Sequence, residues 1–222
     1  MAYILQIETA TKNCSVAVSQ NGTTIACKEI AEAGYSHAEK LHVFIAEILK
    51  ENNLVFADLS AIAVSQGPGS YTGLRIGVSA AKGLSYSLGI PLIAIDTLAT
   101  LAKKITIEND LIIPMIDARR LECYTAIFNS KHEKIRAVEA EIITESLYQN
   151  IQETIHVVGD GASKCKAILT DRKFVFHDEI VFPSANEMSA IAFDKYKISN
   201  TVDVAYFEPF YLKDFMMTVS SK

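Results

Sequence analysis

The run Ser65-Gln66-Gly67-Pro68-Gly69-Ser70-Tyr71-Thr72-Gly73-Leu74-Arg75-Ile76-Gly77 constrains the fold of this chain more than any other segment. Gly67 and Gly69 permit backbone angles that other residues resist, and Pro68 stiffens the bend between them. Residues 61–65 before it read as a buried strand, and residues 72–87 after it as a helix with Thr72 placed to cap it. A glycine-rich turn feeding a helix N-terminus points free N–H groups at any anion lodged there. On this ground Gly67, Gly69, Ser70 and Thr72 are candidate phosphate contacts. The same residues equally make a tight turn that holds no ligand, and residue chemistry alone leaves both readings open.

Within the helix, Gly73, Gly77 and Ala81 lie four residues apart on one face, and Ile76, Ala80 and Gly83 form a second small-residue track. A glycine inside a helix costs roughly 1 kcal/mol against alanine, so several of them call for the close approach of another element. That element is either the helix at residues 36–52 or one from another chain, and an intermolecular interface is the expectation. The 36–52 helix carries an apolar stripe of Leu41, Phe44, Ile45, Ile48 and Leu49.

Strands are expected at residues 3–8, 14–19 and 23–30, the last two joined by an Asn21-Gly22 hairpin turn. With the 36–52 helix, the 61–65 strand, the 72–87 helix and a strand at 91–95, the order resembles a ribonuclease-H-like unit. After Asp96 the pattern restarts more loosely. Strands are expected at 111–116, 122–128 and 135–143, and a short helix near Thr144. Residues 156–158 lead into Gly159-Asp160-Gly161 and a helix to about residue 169. A last helix spans 184–196, with Ser184 as cap and Glu187 at capping-box spacing. This implies two lobes, residues 1–98 and 99–222, the second reduced.

Composition narrows the function classes. Half of the 222 residues are hydrophobic and 21% are charged, as in ordinary globular proteins. The net charge of −5 is the wrong sign for an autonomous nucleic-acid binder, so any RNA contact is expected through a partner. The uncharged stretch 83–95 is too short to span a bilayer, and a cytoplasmic protein is expected. Cys14, Cys27, Cys123 and Cys165 form neither a CxxC pair nor a metal-ligand spacing.

The glycine-rich run and its flanks, 58–64 and 78–84, closely resemble the TsaB (YeaZ) family. So do Ile7-Glu8-Thr9-Ala10-Thr11, Cys14-Ser15-Val16-Ala17-Val18, Ser36-His37-Ala38-Glu39-Lys40-Leu41 and Gly89-Ile90-Pro91-Leu92. Further matches are Ile116-Asp117-Ala118-Arg119-Arg120 with Glu122 and Tyr124, Gly159-Asp160-Gly161, and Pro209-Phe210-Tyr211-Leu212. The resemblance implies an α/β fold of two ribonuclease-H-like lobes, the sugar kinase/actin/Hsp70-like ASKHA fold. It implies an accessory subunit without activity alone, supporting synthesis of threonylcarbamoyladenosine at position 37 of tRNA. Its partners would be TsaD, as a heterodimer, and TsaE, with a homodimer in isolation and tRNA reached only through the complex. The interface would use Leu41, Ile45, Gly73, Ile76, Gly77, Ala80, Ala81 and Gly83. No cofactor is expected to be tightly bound, and ATP or ADP would sit at the interface of the complex.

Three places test for chemistry of the chain's own. ATPases of this fold resemble Asp-x-Gly-x-Thr in the first turn, whereas this chain has Glu8-Thr9-Ala10-Thr11, leaving the hydroxyls of Thr9 and Thr11 as phosphate candidates. The His-x-x-x-His pair of TsaD-like proteins is reduced to His37, with Leu41 four residues on. His42 is turned about 100° beyond Leu41 around the helix, so no metal site is expected. His37 reads as a cap or surface residue and His42 as solvent-facing. Gly159-Asp160-Gly161 is a ligand contact or only a tight turn. Asp117, Arg119 and Tyr124 are assigned to the inter-lobe cleft, with a structural Asp117–Arg119 ion pair as the alternative. The family tends to have arginine where Lys213 stands. The competing readings are an autonomous ATP-dependent phosphotransferase or ATPase and, behind it, a peptidase.

Overall fold

The computed structural model describes residues 1–31 and 37–213. Ser36, the expected start of the first helix, lies outside the described residues. Two five-stranded mixed sheets share one topology. The first comprises β1 (Tyr3–Glu8), β2 (Cys14–Gln20), β3 (Thr23–Ile30), β4 (Leu59–Gly67) and β5 (Leu92–Asp96), in the order β3-β2-β1-β4-β5. Antiparallel pairing joins β1 to β2 and β2 to β3; β4 and β5 continue in parallel. The second comprises β6 (Leu111–Asp117), β7 (Glu122–Asn129), β8 (Lys134–Ile142), β9 (Ile155–Val158) and β10 (Phe174–Phe176), in the equivalent order β10-β9-β6-β7-β8.

Local chemistry sets the first hairpin. Asn21 and Gly22 both take positive φ, 50° and 87°, the paired left-handed turn whose twist suits adjoining strands. Helices α1 (His37–Glu51) and α2 (Tyr71–Leu88) cover one face of the first sheet. Leu41, Ile45, Ile48 and Leu49 of α1 and Val78 and Ala81 of α2 are buried there against Leu5, Ile7, Val16 and Ile62. Ser70 caps α2, its side chain accepting from the Gly73 N–H, and Gly89 closes it in the left-handed conformation. Thr72, the expected cap, is instead an exposed residue of the first turn.

The second lobe keeps the strands and loses helices. Residues 145–150 form turns where a short helix was expected, and α4 (Ala162–Cys165) is a single turn. Helix α3 (Thr97–Ala102), unforeseen from sequence, buries Leu98, Leu101 and Ala102 against Ile112, Ile116, Phe128 and Val158, joining the sheets. Asp96 caps it, accepting from the N–H groups of Leu98 and Ala99.

The end of the chain returns to the first lobe. Ser184 caps a 3-10 turn (Ala185–Glu187) that leads into α5 (Met188–Lys197). The capping-box role expected of Glu187 is not taken up; its carboxylate faces Lys104 at 3.6 Å. Ala185, Met188 and Ala192 are buried against Ile4, Ala17, Ala61 and Ile93, on the sheet face opposite α1 and α2. Beyond α5, Val202 N–H donates to Leu92 O (2.9 Å) and Phe210 N–H to Gln66 O (2.7 Å). Lys82 Nζ donates to the carbonyls of Ala205 (3.1 Å) and Phe207 (2.9 Å). The first lobe therefore contains a segment that a division at residue 98 assigns to the second. Among the described residues no helix is long and apolar enough to cross a membrane.

Candidate functional site

The β1–β2 turn and the start of α2 close on each other. Ser70 N–H donates to Ala10 O (2.6 Å), and Thr9 Oγ1 donates to Gly73 O (2.8 Å). The helix glycines serve this approach. A Cβ on Gly69 would stand 2.3 Å from Ala10 O, one on Gly73 2.1 Å from Thr9 O, and one on Gly77 2.2 Å from Thr9 Oγ1. Gly67, at φ 114°, turns the chain beneath the Phe210 carbonyl. Thr9 and Thr11 are buried, and the hydroxyl of Thr9 is spent on the helix backbone. Of the phosphate candidates, Ser70 uses its oxygen as the helix cap and Thr72 faces outward. As placed, these groups do not fit a phosphate: a backbone carbonyl, not an open anion cradle, faces the loop N–H of Ser70.

Glu8, at the head of this turn, is fully buried. Its Oε1 accepts from Ala10 N–H at 2.6 Å, while Oε2 has no hydrogen-bond partner. Burial pushes its carboxyl up to about 7, against smaller opposing effects from the hydrogen bonds. His37 departs from expectation. It is buried rather than superficial, and its Nε2 donates to Thr11 O at 2.8 Å, fastening α1 to the same turn. Burial lowers its pKa, partly offset by that bond. His42 is exposed.

The eight residues assigned to a partner interface separate into two sets. Leu41, Ile45, Gly73, Gly77 and Ala81 are buried within the chain, because their face of each helix meets β1 and the rest of the first sheet. That corrects the expectation that they meet a partner. Ile76, Ala80 and Gly83 lie on the outer side of α2. There they line an open, mostly apolar groove of about 630 Å³ with Ala38 and His42 of α1 and Arg75, Ser79 and Leu84 of α2. A Cβ on Gly83 would meet nothing within 4 Å. Arg75 bounds the groove, its guanidinium 4.1 Å from the Tyr71 ring centroid and its Nε donating to Tyr211 Oη at 3.3 Å. Sequence reasoning missed Arg75, Ser79, Ala38 and Leu84. Their signal is helical spacing: with Gly73 and Gly77 turned inward, residues 75, 76, 79, 80 and 83 must share the outer face.

At the second lobe, the Asp117 carboxylate pairs with Lys164 and accepts from Arg119 N–H, and Asp117 N–H donates to Asp160 Oδ1 (2.9 Å). The Asp117–Arg119 side-chain pair considered from sequence is thus replaced by Asp117–Lys164. Arg119 is exposed at φ 71°, and Tyr124 is half-buried, its phenol raised by burial. Gly159-Asp160-Gly161 is a tight turn whose polar groups point inward. Gly159 N–H donates to Ile180 O (2.8 Å), Gly161 N–H to Met115 O (3.0 Å), and a Cβ on Gly159 would stand 2.2 Å from Met115 O. Lys213 forms an ion pair with Glu122, tying the end of the described chain to β7.

Comparison with known proteins settles the family. The family model described as TsaD, tRNA N6-adenosine threonylcarbamoyltransferase, matches residues 30–214. The Escherichia coli tRNA threonylcarbamoyladenosine biosynthesis protein TsaB is 33% identical over 221 residues, 95% of this chain and 94% of that protein. The chain belongs to the TsaB family. The Bacillus subtilis TsaB protein is 37% identical over 135 residues, 61% of this chain and 58% of its own. A tRNA N6-adenosine threonylcarbamoyltransferase of Bacillus thuringiensis matches at 38% identity over 111 residues, but these are only 32% of that enzyme. Among solved structures, YeaZ from Pseudomonas aeruginosa superimposes with TM-score 0.83 at 24% identity, over 96% of this chain and 100% of that one. The ethanolamine utilization protein EutJ of Carboxydothermus hydrogenoformans reaches TM-score 0.50 at 12% identity, covering 85% of this chain and 90% of that one. The TsaB fold seen here is therefore α/β, with the two ribonuclease-H-like lobes of the ASKHA group.

Proposed function

We propose that this TsaB-family chain serves tRNA threonylcarbamoyladenosine synthesis as a non-catalytic subunit, docking on a TsaD protein through the outer face of α1 and α2. The observation that carries the reading is the groove at Ile76, Ala80 and Gly83. There small residues on a well-formed helix leave room for another helix to approach closely. The closed β1–β2 turn supports an accessory role, since the site where this fold cradles phosphate in ATPases is filled by Ala10 O and Thr9. The net charge of −5 supports contact with tRNA through the complex rather than by this chain alone. ATP or ADP, with TsaE, belongs to the assembled complex in this reading, and the same groove makes a homodimer when TsaD is absent.

The test mixes the purified chain with its cognate TsaD and reads the complex by light scattering and titration calorimetry. Ala80→Arg places a charged side chain in the groove and should weaken association roughly 100-fold or more, about 3 kcal/mol. The isolated variant should keep its far-ultraviolet circular dichroism, because position 80 is only half-buried, and should lose the homodimer made by the same groove. No association of the unmodified proteins would overturn the proposal, as would ATP turnover by the pure, isolated chain. Association that withstands Ala80→Arg would move the interface elsewhere.

Gly83→Ala gives a second, opposite signature. With open space around the position and ordinary helical backbone, alanine should stabilise the isolated chain by ~0.5–1 kcal/mol, measurable by urea denaturation. The same methyl should weaken the complex if a partner helix packs directly over it.

A further inference from the structure

Two of the four cysteines meet beneath the Gly159–Gly161 turn. Cys123, on β7, and Cys165, at the end of α4, bring their sulfurs to 3.7 Å, van der Waals contact for two thiols. Both side chains are buried, and both face Gly161 O, from 3.7 Å and 3.0 Å. Their surroundings differ from those of the other two cysteines. Lys164, next in sequence to Cys165, holds its ammonium group over the same corner, bound to Asp117 and to the carbonyls of Arg120 (2.9 Å) and Glu122 (2.7 Å). Cys14 is buried in the first core, where burial pushes its thiol up to about 11, and Cys27 lies on the exposed face of β3.

We propose that Cys123 and Cys165 are a reversible oxidation site that closes to an intrachain disulfide, clamping α4 and the Gly159–Gly161 turn onto β7. Closing the bond needs the sulfurs to approach from 3.7 Å to about 2.05 Å. Cys165 ends a single-turn helix flanked by turns, so this shift falls on a segment able to move by side-chain rotation and a small backbone adjustment.

Cys165 is the attacking group, because it ends the one-turn helix that has to move and adjoins the Lys164 ammonium in the chain. The Cys123 S–H held against its sulfur lowers its pKa, with the Lys164 ammonium adding to the effect and burial opposing it, while Cys123 is raised. With a hydroperoxide as oxidant, the Cys165 thiolate attacks a peroxide oxygen. The S–O bond forms, the O–O bond breaks, and the departing hydroxide takes a proton, giving a sulfenic acid and water (an alcohol from an organic peroxide). Cys123 then attacks the Cys165 sulfur, forming S–S and breaking S–O. The expelled hydroxide accepts the Cys123 proton and leaves as water. The two sulfurs lose two electrons between them and the peroxide gains two. A thiol reductant reverses the step by exchange.

The test treats the folded, full chain with hydrogen peroxide and, separately, diamide. It then blocks free thiols under denaturing conditions and maps peptides. Glu-C is the suitable protease, because Lys164 and Lys166 would give trypsin a fragment too small to follow. The expected product is a Cys123–Cys165 cross-link, two hydrogens lighter than the reduced pair, restored by dithiothreitol, with Cys14 still free. Cys27→Ser should leave the cross-link unchanged and Cys165→Ser should abolish it. Mapping of the unsubstituted protein decides the matter even if Cys165→Ser folds poorly. The proposal is overturned if Cys123 and Cys165 remain free thiols after Cys27 has been fully oxidised. It is also overturned if the only disulfide found is between chains through Cys27.

Discussion

Gly73→Ala should destabilise the protein by about 3–5 kcal/mol, a large share of the 5–15 kcal/mol that a folded domain of this kind commands. The new Cβ would stand 2.1 Å from Thr9 O, a backbone atom at a turn that cannot swing aside like a flexible side chain. Relief requires α2 to move off the β1–β2 turn. That movement loses the Thr9 Oγ1–Gly73 O hydrogen bond and strains the neighbouring contact between Ser70 N–H and Ala10 O. The melting temperature should fall by roughly 6–20 °C, taking 2–4 °C per kcal/mol for a chain of this size. Gly83→Ala on the same helix is the internal control, with the opposite sign predicted for the same change of residue. A loss below ~1 kcal/mol at Gly73 would mean that the turn yields easily and that the close approach is not what these glycines are for.

The second large effect is a pH dependence attached to Glu8. Burial disfavours its charged form and holds its folded-state pKa at about 7, above the 4.5 of an exposed glutamate. The sign follows from proton counts. Between these values the unfolded chain has released the proton and the folded chain retains it, so raising the pH draws the equilibrium toward unfolding. Glu8 thus contributes stability that is full below about pH 4.5 and is lost as pH rises through about 7. The span corresponds to about 3 kcal/mol. Glu29, whose pKa is lowered, works in the opposite direction, so the parent protein's profile alone does not isolate Glu8. The difference between parent and Glu8→Gln does. Glutamine keeps an acceptor for Ala10 N–H without a titrating proton, so the variant should gain up to about 3 kcal/mol relative to the parent between pH 5 and pH 8. A difference independent of pH would show that Glu8 is ionised throughout and that its buried Oε2 finds a partner in solution.

Sequence chemistry was most legible where neighbours in the chain decide the outcome. Asn21-Gly22 demanded a left-handed two-residue turn and makes one. The glycine spacing of α2 was read correctly as a demand for close approach, but the partner was misplaced. The approaching element is the backbone of Thr9, 64 residues from Gly73, and nothing near either residue announces it. His37 failed for the same reason: a lone histidine near a helix start looks superficial until Thr11 O arrives to accept its N–H. Helix α3 and strand β10 are six and three residues long, too short for periodicity to register. The return of residues 184–211 to the first lobe was hidden too, since its contacts pair Lys82 with Phe207 and Leu92 with Val202 across more than a hundred positions. The groove on α2 lies between these cases, readable from helical spacing once the inward face is known.

That returning segment has a consequence for how the protein is made. Strand β5 is the edge of the first sheet, and its outer side is met by Val202, whose N–H donates to Leu92 O. During translation β5 emerges long before Val202 does. At roughly 5–20 residues per second, the hundred-odd residues between them take about 5–20 s to synthesise. Through that interval the first sheet has all five strands but an uncovered edge, and the face that α5 will bury is open to water. A ribosome paused between codons 96 and 202 would hold the lobe with that edge and that apolar face exposed, the arrangement most open to pairing with another chain.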